Sequence, residues 1–114
     1  MPYLMIQTNR NIDSEPGHRL MQRASRLVSE KLGKPERYVM VALQAPVPML
    51  FAASDEPLAY AELKSIGLPV DATKELSAAV CGLLQDALDI PKERVYIEFS
   101  DAPRRMWGWN GATF

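Results

Sequence analysis

An internal repeat constrains this sequence more than any other feature. Two segments carry residues at the i, i+4, i+7, i+8 spacing of an amphipathic helix, one from Leu20 to Leu32 and the other from Leu76 to Leu88. Each stripe position of the second segment lies 56 residues after its counterpart in the first; the pairs are 20/76, 24/80, 27/83, 28/84, 31/87 and 32/88. Self-similarity at a fixed period indicates a duplicated structural unit.

The linkers and strands extend the repeat. Pro-Glu-Arg at 35–37 follows the first stripe and Pro-Lys-Glu-Arg at 91–94 follows the second, so one inserted residue changes the offset to 57. Short apolar or alternating runs flank each helix and are typical of β-strands. The predicted strands are Tyr3–Thr8, Tyr38–Ala45, Leu58–Ser65 and Val95–Ser100.

Capping residues mark the ends of the two predicted helices. Asp13 or Ser14 can cap the first helix and Asp71 the second, because short polar side chains accept hydrogen bonds from the free N–H groups of a first turn. Gly33 and Pro35 are expected to end the first helix.

Two β-α-β copies, at about 1–57 and 58–114, fill the chain and predict a single domain over residues 1–114. Two copies are too few for a solenoid. They suit an α/β (α+β) fold in which one four-stranded sheet carries both helices on one face, as in a ferredoxin-like sandwich.

One predicted strand does not fit a sheet that is covered on one side only. Val39, Val41 and Leu43 alternate with Met40 and Ala42, so the run is apolar on both faces. Such runs belong to sheets that are buried on both faces. Because both helices occupy the same face, we expect the second covering to come from another copy of the chain, in a homo-oligomer.

Composition argues against several classes of function. The 13 basic and 14 acidic residues are spread along the chain, which does not favour nucleic-acid binding. No apolar run approaches the ~20 residues of a membrane-spanning helix. The single Cys81 cannot form an intrachain disulfide or a CxxC-type zinc site, and we expect no metal or organic cofactor. The first residues lack a signal-peptide pattern, so we expect a cytoplasmic protein, with export by another route left open.

The Met1-Pro2 start is the first candidate for chemistry. Removal of Met1 would leave the secondary amine of Pro2, and a free α-amine titrates near ~8. An apolar pocket and a neighbouring cation would both lower that pKa, so that the neutral amine could take a proton from carbon. On this dipeptide alone, a chance Met-Pro start is the simpler interpretation.

The whole chain resembles the macrophage migration inhibitory factor and D-dopachrome tautomerase family of the tautomerase superfamily. The matching segments, in order and at family spacing, are MPYLMIQTN at 1–9, GKP at 33–35, SDEP at 54–57, SIG at 65–67, CGLL at 81–84, RVYI at 94–97 and GWNGATF at 108–114. The resemblance implies a duplicated β-α-β fold, a homotrimer with active sites between subunits, and keto–enol tautomerisation of a small aromatic 2-oxo acid such as phenylpyruvate.

The resemblance also implies roles for individual residues. Pro2 would be the catalytic base, Lys34 would hold the substrate carboxylate and lower the pKa of the amine, and the N–H of Ile66 would bind the same end of the substrate. As a cation at a helix end, Lys34 would also complement the helix dipole. The pocket walls would be Tyr38, Trp109 and Phe114, with Tyr96 from the neighbouring subunit.

The sequence departs from the family pattern at several places. Glu98, two residues after Tyr96, stands where the mammalian factor has asparagine, and its charge could oppose a substrate carboxylate. LAYA at 58–61 replaces a CxxC motif, so a thiol–disulfide activity has no counterpart here. Trp107 adds bulk beside the expected pocket, and the PRR loop at 103–105 also differs.

Two other functions remain open from the sequence. One is a cytokine-like ligand with a vestigial pocket, although no segment identifies a receptor-binding surface. The other is a different amine-dependent enzyme of the superfamily, such as a decarboxylase or a dehalogenase, for which a covalent Schiff base on Pro2 would be diagnostic.

Overall fold

The repeat folds as two β-α-β units that share one sheet. The computed structural model describes all 114 residues. The first unit comprises β1 (Tyr3–Thr8), α1 (Ser14–Leu32) and β2 (Met40–Gln44), and the second comprises β3 (Ala59–Ile66), α2 (Thr73–Leu88) and β4 (Val95–Ala102). A short hairpin follows, made of β5 (Gly108–Trp109) and β6 (Ala112–Thr113).

The four long strands lie in the order β2-β1-β3-β4. Within each unit the two strands are parallel, because the intervening helix crosses over the sheet. The two units meet through the antiparallel pair β1–β3, which runs from Tyr3 opposite Lys64 to Thr8 opposite Ala59. The predicted four-stranded sheet is therefore confirmed.

Both helices pack on the same face of this sheet. The core joins Leu20, Ala24 and Val28 of α1 and the apolar stripe of α2 to alternate residues of the strands, among them Leu4 and Leu63. Cys81 is buried in α2, as its place near the stripe predicts, and burial raises the pKa of its thiol. Neither helix is long and apolar enough to cross a membrane.

The opposite face of the sheet has no helix over it. In β2, Val41 and Leu43 pack against the core, whereas Met40 on the other face is 65% exposed. On β4, at the far edge of the sheet, Tyr96 is 67% exposed. The doubly apolar strand predicted from the sequence thus has one face covered by its own chain and one face uncovered.

The start of β2, the cap of α2 and the capping hydrogen bond of α1 differ from the sequence-based prediction, and the ends of β3 and β4 shift by one or two residues. Tyr38 was expected to begin a strand but ends a one-turn 3-10 helix, Glu36–Tyr38, so β2 begins only at Met40. Asp71 does not cap α2; it lies inside the 3-10 helix Val70–Ala72, which leads directly into α2 and removes the need for a side-chain cap. Asp13 occupies the N-cap position of α1, yet its side chain makes no capping hydrogen bond.

One arginine holds the loop between β2 and β3. The Arg94 guanidinium donates hydrogen bonds of 2.9–3.1 Å to four backbone carbonyls, those of Phe51, Ser54, Glu56 and Pro57. Its Cζ also lies 5.4 Å from the centroid of the Phe51 ring. These contacts fix a tight turn in which Ala52 and Ala53 have φ of 52° and 59°. Residues with a Cβ pay about 1–2 kcal/mol for this left-handed conformation.

Replacing either alanine of this turn by glycine should stabilise the protein. We expect Ala52→Gly or Ala53→Gly to raise the free energy of unfolding by about 0.5–1 kcal/mol, since the relieved strain exceeds the added flexibility of the unfolded chain. Denaturant unfolding at a fixed protein concentration measures the change. Ala78→Gly, at an exposed position in α2, is the control and should cost about 1 kcal/mol. Destabilisation by all three substitutions would contradict the strain at 52 and 53.

Candidate active site

Pro2 lies at the start of β1, between the ends of β2 and β3. Its side chain is fully buried, and its carbonyl accepts a hydrogen bond of 3.0 Å from the Met40 N–H. Proline has no N–H, so strand pairing at this position loses no donor. The first residue of a mature chain beginning at Pro2 would thus be fixed by β2 while its nitrogen stays outside the ladder.

A cavity of about 540 Å³ opens at this point. Four of the residues assigned by family resemblance line it, namely Pro2, Tyr38, Trp109 and Phe114. Trp107, expected beside the pocket, is also part of the lining. The chain therefore brings its N-terminus and its C-terminal aromatic residues into one apolar recess.

The aromatic wall depends on the C-terminal hairpin. Trp109 and Phe114 stack with ring centroids 5.1 Å apart, and Tyr38 meets both rings edge-on at 5.9 and 6.2 Å. Asn110 and Gly111 form the turn with φ of 55° and 74°, the positive values of a two-residue type I′ hairpin. The turn folds the chain back, so that Phe114 reaches Trp109.

Sequence reasoning missed this hairpin, although a signal was present. Asn110-Gly111 between Trp109 and Ala112 is the dipeptide that most strongly favours a two-residue hairpin. The strands are only two residues long, too short for an alternating pattern to show.

Lys34 is placed by the end of α1. Gly33 closes the helix in the left-handed conformation, as predicted, with φ of 62°. Ser29 then holds Lys34 twice: its carbonyl accepts from the Lys34 N–H at 3.1 Å, and its hydroxyl donates to the Lys34 carbonyl at 2.6 Å. The backbone of Lys34 is therefore fixed, and its side chain makes no ion pair within the chain.

The electrostatics of the site act on the N-terminus. The pKa of the Met1 α-amine is lowered from its ordinary value of 8.0, first by burial and then by the positive charges of Lys34 and Arg104. All three causes disfavour the ammonium form. The neutral fraction of the amine at neutral pH is consequently larger than for a free N-terminus.

Ile66 is the last residue of β3 and lies outside the cavity lining. Directly after it, Gly67 has φ of 72°, and the Asp101 carboxylate accepts hydrogen bonds from the N–H groups of Gly67 and Leu68 at 2.8 and 3.1 Å. The backbone that leaves Ile66 is thereby held against β4.

Tyr96 and Glu98 lie apart from the predicted site residues that surround the cavity beside Pro2. They lie on β4, on the uncovered face of the sheet, and do not line the cavity beside Pro2. The Tyr96 ring instead contacts Phe51, with centroids 4.7 Å apart, beside a smaller apolar cavity of about 390 Å³. A role for either side chain at Pro2 requires a second copy of the chain.

Two cationic residues of the lining, Arg37 and Lys64, were not predicted from the sequence. Lys64 reaches the cavity because it pairs with Tyr3 across β1–β3, a register that only the folded sheet defines. Arg37 is carried by the 3-10 turn that replaces the expected strand start, and its guanidinium lies 4.8 Å above the Tyr38 ring.

Comparison with known proteins agrees with this architecture. The family model "Macrophage migration inhibitory factor (MIF)" matches residues 1–114. A macrophage migration inhibitory factor homolog from Brugia malayi is 39% identical over 115 residues, covering 100% of this chain and 99% of that protein. The Mus musculus factor is 36% identical with the same coverage.

Solved structures give the same result. A macrophage migration inhibitory factor homologue from Prochlorococcus marinus superposes with a TM-score of 0.92 at 46% identity, covering 98% of both chains. The factor from Trichinella spiralis gives 0.90 at 32% identity, covering 98% of this chain and 99% of that one. The chain therefore belongs to the macrophage migration inhibitory factor family, within the tautomerase superfamily.

The hairpin turn offers a direct check of the aromatic wall. Gly111→Ala should weaken it by about 1 kcal/mol, because a Cβ at φ 74° is strained even though it would meet no atom within 4 Å. We expect reduced near-ultraviolet circular dichroism, with the far-ultraviolet spectrum retained. Gly82→Ala, in α2 and equally free of contacts, should instead stabilise the protein and leave the aromatic signal unchanged. An unaltered near-ultraviolet spectrum in Gly111→Ala would show that the rings stack without this turn.

Proposed function

We propose that this protein is a keto–enol tautomerase that acts on phenylpyruvate-like 2-oxo acids with the free amine of Pro2 as general base. The observation that carries the proposal is the position of Pro2 in an aromatic-lined cavity, directly beside the Met1 α-amine, whose pKa burial and nearby cations lower. An amine that is neutral near pH 7 can accept a proton from carbon, whereas an ammonium cannot.

The proposed reaction is a one-proton exchange. The neutral Pro2 nitrogen takes a proton from the carbon next to the carbonyl, and the oxygen of the resulting enolate takes a proton from water to give the enol. The Pro2 ammonium then returns its proton to water, which restores the neutral base. The reverse reaction returns a proton from the ammonium to carbon. In this proposal the substrate is neither oxidised nor reduced. Pro2 forms no covalent bond to it and acts as a base, not as a nucleophile.

The remaining residues bind the substrate in this proposal. Lys34, whose backbone Ser29 fixes, supplies a charge-assisted contact to the carboxylate. The Ile66 N–H binds the same end. Tyr38, Trp109 and Phe114 hold the ring and exclude water.

We further propose a homotrimer in which Tyr96 and Glu98 of one copy complete the pocket of the next. The exposed side chains of Met40 and Tyr96 on the uncovered sheet face support association. Tyr96 and Glu98 do not line the cavity of their own chain, which leaves them available to an adjacent copy. A partner's Glu98 would bring a carboxylate towards a carboxylate substrate, which would weaken the binding of phenylpyruvate compared with a neutral residue.

Blocking the amine should abolish activity without unfolding the protein. In a chain extended before Pro2, its nitrogen becomes an amide whose lone pair is delocalised, so it cannot accept a proton near neutral pH. We expect a tagged protein with a protease site ending directly before Pro2 to show no phenylpyruvate tautomerase activity, and the same sample to gain activity after cleavage.

Cleavage before Pro2 is the matched control, because the folded sample differs only at its N-terminus. Mass spectrometry must identify Pro2 as the first residue. For the cleaved form, kcat/KM should rise with pH and level off with an apparent pKa below that of an ordinary α-amine, since the lowered pKa makes the base available at lower pH. Equal rates before and after cleavage would exclude Pro2 as the base.

The oligomer is tested separately. Sedimentation equilibrium at micromolar concentration should give three times the chain mass of 12.8 kDa. Met40→Glu, which places a charge on the exposed face without removing a core contact, should shift the sample towards monomer. A monomeric parent protein would contradict both the proposed trimer and the shared pocket.

A further inference from the structure

The cavity beside Pro2 has more cationic side chains in or near it than the binding of a single substrate carboxylate requires. Arg37 and Lys64 line it, and Lys34 and Arg104 lie close enough to lower the pKa of the Met1 amine. No aspartate or glutamate belongs to the lining. The whole chain has a net charge of −1, so this concentration of four cations is local to the cavity.

These cations have few acidic partners within the chain. Only Lys64 contacts a carboxylate, Glu62 Oε1, and at 3.7 Å this is the longest of the four ion pairs. Lys34, Arg37 and Arg104 have no ion pair. Arg37 rests on the Tyr38 ring at 4.8 Å, a cation–π contact that keeps the guanidinium at the wall while its N–H groups make no hydrogen bond within the chain.

Two of the cations approach Pro2 from opposite sides. Arg37 precedes β2, whereas Lys64 lies on β3, and β1 runs between them. Met40, which begins β2, and Lys64 of β3 both pair with Tyr3. Because of this register, the segment that carries Arg37 and the strand that carries Lys64 lie on opposite sides of β1. The two cations therefore enter the cavity from different sides of β1 and can contact an acidic group other than the carboxylate assigned to Lys34.

We propose that the cavity recognises a dianionic aromatic acid, with Lys34 holding the 2-oxo carboxylate and Arg37 and Lys64 holding a second acidic group on the ring. The inference rests on the proposed function, which places the substrate in this cavity. Glu62 partly offsets Lys64 within the chain, and one Glu98 carboxylate from an adjacent copy would offset one more of the four positive charges, which leaves at least two. The cavity would still favour two anionic groups over one.

Ligand binding tests the inference without relying on catalysis. Both tryptophans of the chain, Trp107 and Trp109, line the cavity, so intrinsic fluorescence reports directly on its occupancy. Benzoate and terephthalate share one ring and differ by a single carboxylate. At matched ionic strength we expect terephthalate to bind the protein that begins at Pro2 about tenfold more tightly, as one added charge-assisted contact provides.

Variants identify the cations responsible. Arg37→Gln and Lys64→Gln should each reduce the preference for terephthalate several-fold and change benzoate affinity by less than about twofold, because only the second carboxylate loses a contact. Arg23→Gln is the control, since Arg23 pairs with Asp86 at 2.8 Å on the helices and should leave the preference intact. Equal binding of the two acids by the parent protein, or a preference that survives in both variants, would overturn the inference.

Kinetics separate this inference from the proposed function. If phenylpyruvate and 4-carboxyphenylpyruvate are tautomerised with the same KM, the second-anion site is wrong while the Pro2 mechanism stands. If neither acid is turned over but terephthalate is still preferred and the preference is lost in the variants, the proposed function fails and the dianion site stands. A KM about tenfold lower for the dianion, with kcat nearly unchanged, is the result expected if both hold.

Discussion

The antiparallel pairing of β1 with β3 is the interaction on which the rest of this structure depends. It joins the parallel strand pairs of the two β-α-β units and makes β1 a central strand. The N-terminal residue of a central strand is flanked by chain on both sides, so Pro2 is buried instead of frayed. The same register brings Lys64 opposite Tyr3 and into the cavity. The pairing that joins the two halves of the fold therefore also positions Pro2 and Lys64 at the site.

The surroundings of the N-terminus favour its neutral form through several weak contributions. Burial comes from the sheet and the aromatic hairpin, and charge comes from Lys34 and Arg104. Lys34 serves two purposes at once, because a cation at the C-terminus of α1 complements the helix dipole and also disfavours a second positive charge on the amine. Gly33 and Ser29 fix the backbone of Lys34 at this point, so its side chain starts from a defined position near the N-terminus.

Sequence patterns that extend over many residues predict the helices and the duplicated unit correctly. Features that depend on how strands and turns pack in the folded chain could not be predicted from the sequence. The helices and the duplication follow from patterns of many residues. The end of α1 follows from a single requirement, the left-handed conformation that Gly33 adopts. Tyr38 and Asp71 were misassigned because 3-10 turns replace a strand start and a side-chain cap. Residues from the N-terminus, the segment after α1 and the C-terminus could be assigned to the site only through family resemblance. Arg37 and Lys64 could be recognised only in the folded chain, through a 3-10 turn and the β1–β3 register.

In the proposed trimer, one chain would contribute most of a pocket and an adjacent chain would contribute Tyr96 and Glu98. Tyr38, Trp109 and Phe114 line the cavity beside Pro2 of the same chain, and Lys34 of that chain lies close enough to act on the N-terminal amine. Tyr96 and Glu98 face away on β4, and Arg94 reinforces this arrangement by binding the loop whose Phe51 packs on Tyr96. An isolated chain would thus keep a cation-flanked amine but leave its cavity open on one side. Association in the proposed trimer would then enclose the substrate, so dissociation should raise KM.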